Sequence, residues 1–106
     1  MHDLKWSASE KKIARRVYEA ALQQELGETM TRFKEMAARA EESADMWDVE
    51  RWLAHQRRDI ETKYDFRYSQ LIIVFGRLLR ENRITEERLA GLGDDKLSYI
   101  ARIATL

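Results

Sequence analysis

"SASEKKIARRVYEAALQQELGETMTRFKEMAARA", residues 7–40, decides the fold class. Apolar side chains fall at 13, 17, 21 and 22, 26, 30, 33, 36 and 37, and 40. Steps of three to five make a helical stripe. The stripe lasts about 27 residues, roughly 40 Å at the α-helical rise. Ser7 and Glu10 stand at capping-box spacing, and Trp6 before them sits where a hydrophobic staple would. Gly27 costs about 1 kcal/mol relative to alanine, too little to break a packed helix.

Downstream, "EESAD" (41–45) makes a polar corner with Ser43 or Asp45 as the next N-cap. A second stripe runs through Met46, Val49, Leu53, Ile60, Tyr64, Leu71, Val74 and Leu78, with Gln56 and Arg67 in the missing turns. Two such stripes across a short polar turn predict an antiparallel helical hairpin. Its arms are expected from near Ser7 to Ala40 and from near Asp45 to Glu81. "LIIVF" (71–75) has strand-like β-branching, but "GRLLREN" after it and the lack of hairpin turns favour a buried helix. Asn82 is a helix stop. "ITEERLAGLG" predicts a short helix capped by Thr85, and "DDKLSYIARIATL" a last helix capped by Asp94 with a seam of Leu97, Ile100 and Ile103.

The fold class is therefore all-α: a long hairpin stalk, about residues 7–81, with a head of short helices, about 70–106, in one domain spanning 1–106. Proline is absent and glycine occurs four times, which suits helices better than many tight hairpins. Both stripes exceed what one antiparallel neighbour can cover. Self-association as a two-fold homodimer is the simplest cover.

Charge is balanced, 19 basic against 19 acidic residues, so no long-range field draws the chain to nucleic acid or anionic lipid. Arg51, Arg57, Arg58 and Arg67 form a basic cluster, but Glu50, Asp59, Glu61 and Asp65 interleave it. The absence of cysteine removes disulfides, thiolate metal sites and cysteine nucleophiles. No apolar run approaches the roughly 20 residues of a membrane span, and no signal segment opens the chain, which predicts a cytoplasmic location. His2 sits in a terminus expected to fray, and His55 has no histidine partner nearby. No metalloprotease, calcium-loop, Walker or nucleophile-elbow motif occurs, and pairs such as Glu28/Arg32 and Asp59/Lys63 read as solvated helix pairs. No enzyme, metal site or cofactor is expected.

Trp47 and Trp52 point about 140° apart on a helix. Trp52 falls at the edge of the Met46–Val49–Leu53–Ile60 seam. Trp47 falls on the opposite face with Arg51, Ala54 and Arg58, and Arg51 is one turn on, within reach of a cation–π contact. Packing of Trp47 beneath another part of the same chain is the alternative. Tryptophan and arginine dominate binding hot spots, which favours an interface.

"WDVERWLAHQRRDIETKYD" (47–65) resembles the fluorescence recovery proteins, small cyanobacterial regulators. So do Trp6 and Ser7, Glu25 and Leu26, and the set Leu89, Leu92, Asp95 and Lys96; the likeness covers nearly the whole chain. Its most specific part combines Trp47, Leu53, Arg57, Ile60, Lys63, Tyr64, Asp65 and Arg67. The resemblance implies an all-helical homodimer without cofactor or catalytic residues. It implies binding to the C-terminal domain of photoactivated orange carotenoid protein and faster return of that protein from its red to its orange form, which ends photoprotective quenching. The resemblance gives Trp47 and Arg57 a part in the dimer contacts and the partner surface, and the whole surface is expected to comprise Met46, Trp47, Val49, Glu50, Arg51, Leu53, Arg57 and Lys96. The family commonly carries His-Asp where this chain has Glu50 and Arg51. That exchange predicts repulsion between Arg51 and Arg57, partly offset by Glu50. A helical dimer scaffold serving a different protein partner is the second reading.

Overall fold

A computed structural model describes residues 4–106. His2 lies outside the described residues. Four α-helices occur in order, α1 (Ala8–Arg39), α2 (Ser43–Lys63), α3 (Leu71–Arg80) and α4 (Asp94–Ala104), with a 3-10 turn at Glu86–Leu89 between α3 and α4. Among the described residues there is no strand, only an isolated bridge between Ala90 and Leu92. The all-α reading holds. Among the described residues no helix is long and apolar enough to cross a membrane.

The capping box forms as its spacing predicts. Ser7 N–H donates to Glu10 Oε1 at 3.0 Å, and Glu10 N–H donates to Ser7 Oγ at 3.2 Å. Trp6 makes no staple, because the residue one turn into the helix is Lys11. Its ring instead lies 5.8 Å from that of Tyr68. At the corner, neither Ser43 nor Asp45 is the N-cap. Ser43 already begins α2, and Asp45 Oδ2 reaches back to accept N–H bonds from Glu41 and Glu42, both at 3.1 Å. Those bonds hold its carboxyl below the usual range. Asp94 likewise opens α4 rather than capping it; Gly93 is the cap residue. Thr85 occupies the cap position of the 3-10 turn without a side-chain bond. Asn82 stops α3 as expected: at φ 60° it lets Arg83 N–H reach Leu78 O and its own N–H reach Leu79 O, a Schellman ending.

The second long helix does not run to Glu81. It ends at Lys63, and residues 64–70 are non-helical before α3 begins. No proline or glycine breaks it. Tyr64, Phe66 and Tyr68 alternate, and on a helix Phe66 would point away from the other two. In extended chain, alternate residues share a side. Here Tyr64 and Phe66 both meet Tyr18, at 5.5 and 4.8 Å between ring centres, and Tyr68 meets Trp6 and Phe66. Aromatic burial outweighs the helical ladder lost over these residues.

The chain divides into two compact units, one combining residues up to Ala21 with Tyr64–Leu106, the other Leu22–Lys63. The first holds most of the core: Ala14, Val17 and Tyr18 of α1, with Leu71, Phe75, Leu78, Leu89 and Ile100. α3 packs closely on α4 at Gly76, where a Cβ would overlap the Ile103 side chain. α3 begins with the "LIIVF" segment read as a buried helix, in which only Ile73 is exposed.

Gly27 has a different standing. A Cβ there would meet open space. It sits in mid-helix, and the hydroxyls of Thr29 and Thr31 donate to the carbonyls four residues back, which loosens the same turn. Gly27→Ala should therefore raise stability by about 0.5–1 kcal/mol, read as a higher urea midpoint with an unchanged slope. A lower midpoint would mean that this position needs its missing side chain.

Candidate functional site

The hairpin unit is formed by the second half of α1 and by α2. Its antiparallel sense is fixed where Lys63, the last residue of α2, meets Glu25 on α1. Between the two helices lie shallow apolar grooves. One, of about 750 Å³, is lined by Leu26 and Thr29 of α1 with Glu50, Leu53, Arg57 and Ile60 of α2. The next, of about 470 Å³, is lined by Phe33, Ala37 and Ala40 with Met46, Val49 and Leu53. Leu53 belongs to both.

The α1 stripe explains these grooves. Val17 and Ala21 are buried within the first unit, but further along Leu26 and Met30 are exposed, and Phe33 and Met36 only half-buried. On α2 only Ile60 and Lys63 are buried; Met46, Trp47 and Leu53 are 53, 51 and 37% exposed. The hairpin leaves its seam uncovered. A contiguous apolar face of this kind marks an interaction surface.

The expected site residues separate into two faces and one outlier. Met46, Val49, Glu50, Leu53 and Arg57 line the grooves. Trp47 stands exposed on the other flank of α2, with Trp52 half-buried as a seam-edge residue should be. Arg51 turns to Asp48, so the expected cation–π partnership with Trp47 is replaced by an ion pair. Arg57 donates from Nε to Glu61 Oε1 at 2.8 Å, which raises its pKa. Each guanidinium thus has an acidic partner on its own helix, which offsets the repulsion expected between Arg51 and Arg57. Such exposed pairs contribute little to stability. His55 is exposed beside Asp59 at 3.5 Å.

Lys96 is the outlier. Expected on the partner surface, it is buried, and its Nζ lies 3.1 Å from Glu10 Oε2 and 5.2 Å from the centre of the Trp6 ring. A lysine so enclosed cannot meet a partner; it anchors the start of α1 to the first turn of α4. Glu10 completes that anchor by accepting the Gly93 N–H at 2.8 Å.

Two features escaped the sequence reading. The Lys63–Glu25 pair, 2.7 Å long with the lysine buried and the glutamate largely so, joins residues 38 apart, whereas Lys63 was expected to pair with Asp59 at the surface. The Tyr64–Phe66–Tyr68 alternation was visible as a period of two but was absorbed into a helical stripe.

The chain matches the family model described as photoprotection regulator fluorescence recovery protein over residues 6–104. It is 34% identical over 101 residues to the fluorescence recovery protein of Synechocystis sp., covering 95% of this chain and 93% of that protein. The solved structure of that protein superposes with a TM-score of 0.91 at 33% identity. The fluorescence recovery protein structure from Fremyella diplosiphon does so with the same score at 28% identity, and each alignment covers 96% of this chain and all of the other.

Proposed function

The chain belongs to the fluorescence recovery protein family, a family of photoprotection regulators, and on that premise we propose how it acts. It works as a homodimer without catalytic chemistry, cofactor or metal. It binds the C-terminal domain of photoactivated orange carotenoid protein and speeds that protein's return from red to orange, which ends quenching. Such a regulator acts by differential binding along its partner's conformational change.

One observation carries this reading: the uncovered hairpin seam, with a tryptophan exposed beside it. Met46, Val49 and Leu53 with Leu26 and Phe33 supply an apolar face that a second copy covers. Trp47 and Arg51 supply an aromatic and charged flank for the partner, with the groove-lining Glu50 and Arg57 at the edge between the two faces. The decisive experiment mixes the purified chain with light-activated orange carotenoid protein and follows recovery in the dark. Acceleration at substoichiometric amounts is expected. Its absence at any concentration, with the dimer intact, would favour a helical scaffold for another protein.

A central tryptophan in a binding patch supplies about 2 kcal/mol or more, so Trp47→Ala should weaken partner binding about thirtyfold. Its exposure in the chain means that helix content should not change. Titration of the partner alongside mass measurement separates lost recognition from lost assembly. Wild-type affinity in a dimeric Trp47→Ala variant would move the contact elsewhere.

A further inference from the structure

α2 carries an ambiguity that its apolar residues do not resolve. Met46, Val49, Leu53 and Ile60 lie along one side, Trp52 and Trp47 on either flank, and most of them stay partly exposed. Apolar contact is non-directional, so turning the helix about its axis exchanges one set for another at small cost. A buried ion pair is directional and tolerates one geometry. Lys63 and Glu25 form such a pair at 2.7 Å, with side chains only 5 and 13% exposed. The ammonium also sits on the final residue of α2, where the helix dipole favours a cation.

We propose that Lys63 and Glu25 are positioning residues that set the rotation of α2, and thereby decide which side chains face the groove and which face the partner. Buried pairs of this kind contribute less to stability than to the choice among alternative packings. Pinned at Lys63 and at the Asp45 corner, α2 keeps Leu53 and Arg57 toward the groove and Trp47 outward. The link to the partner rests on the reading of the chain as a dimeric regulator; the rotation of α2 does not.

The test uses the chain's lack of cysteine. Single substitutions Val49→Cys and Arg51→Cys place a thiol at a half-buried and at an exposed position of α2. In the wild-type background, alkylation should be slower at 49 than at 51. Glu25→Leu with Lys63→Met removes the two opposite charges together, so the chain should keep its helix content and thermal midpoint. In that background the difference between the two thiols should disappear, and acceleration of partner recovery should fall about tenfold. If the double variant does not fold, Glu25→Gln, which removes the ion pair while keeping the shape of the side chain, provides the same readings. A thiol difference that persists overturns the proposal. Lost rotation with undiminished acceleration overturns its link to the partner. A wild-type chain that never accelerates recovery defeats the dimeric-regulator reading, and the alkylation rates still decide the rotation.

Discussion

Glu10→Gln should lower the unfolding free energy by about 3–5 kcal/mol, a large share of what a domain of this size possesses. The Glu10 carboxylate closes the capping box with Ser7, accepts the Gly93 N–H and pairs with the Lys96 ammonium. All three partners are donors. A glutamine keeps one oxygen and turns an amide N–H₂ toward another donor, while Lys96, 3% exposed, is left a buried unpaired cation. Lys96→Met in the Glu10→Gln background should recover part of the loss, because the stranded charge goes with it. Urea unfolding of these two variants and of Lys96→Met alone measures both effects. Additive losses would mean that the two side chains do not act as a unit.

The same carboxylate makes stability depend on pH. The Ser7 N–H is the largest influence; it outweighs the opposing effect of burial and, with Gly93 and Lys96, holds the pKa at about 2, against an ordinary value of 4.5. A lowered folded pKa means that the unfolded chain takes up the proton first. The contribution is therefore complete above pH 4.5 and is lost as pH falls from there toward 2. Its size is about 3 kcal/mol. In Glu10→Gln this part of the acid limb should be missing, so wild type and variant converge as the pH drops. Parallel acid limbs would refute the assignment.

Leu53→Glu should dissociate the proposed dimer by more than about a hundredfold while leaving the single chain folded. Leu53 lines both grooves and is 37% exposed, so in the isolated chain a glutamate there can remain in water. Beneath a second copy it must be desolvated without a cation, at a cost of several kcal/mol. Light scattering across a concentration series distinguishes the two states, and far-ultraviolet circular dichroism checks that helix is kept. A variant that holds the wild-type dimer mass at micromolar concentration would place the interface away from the grooves. Glu10→Gln is the natural contrast, since it weakens the other unit and leaves the groove lining unchanged.

Much of this was legible in the sequence because it depends on residues close along the chain. The α1 stripe, the Ser7–Glu10 capping box, the Asn82 stop and the buried α3 follow from spacing, local hydrogen bonding and apolar content, and each appears where expected. The exposed Met46, Trp47 and Leu53 were legible for a related reason: two stripes with one neighbour each cannot both be covered. Cap residues were less secure. At Asp45 and Asp94 an acidic residue beside a helix start satisfied the pattern, yet only backbone position decides whether it caps, reaches back or begins the helix.

Contacts between distant residues were decided by the tertiary structure alone. Helical periodicity carried the second stripe through Tyr64 and Arg67. The chain leaves the helix at Lys63 because Tyr18 and Trp6, more than forty residues earlier, offer aromatic faces that a non-helical segment can reach. Lys63 and Lys96 looked like surface lysines, since lysine is seldom fully buried and nearby acids were available in sequence. Each is instead buried against a glutamate from α1, Glu25 and Glu10. Periodicity shows which side of a helix is apolar, because that depends only on turn geometry. It does not show which charge another helix brings to meet a lysine, because only the folded path of the chain brings the two together.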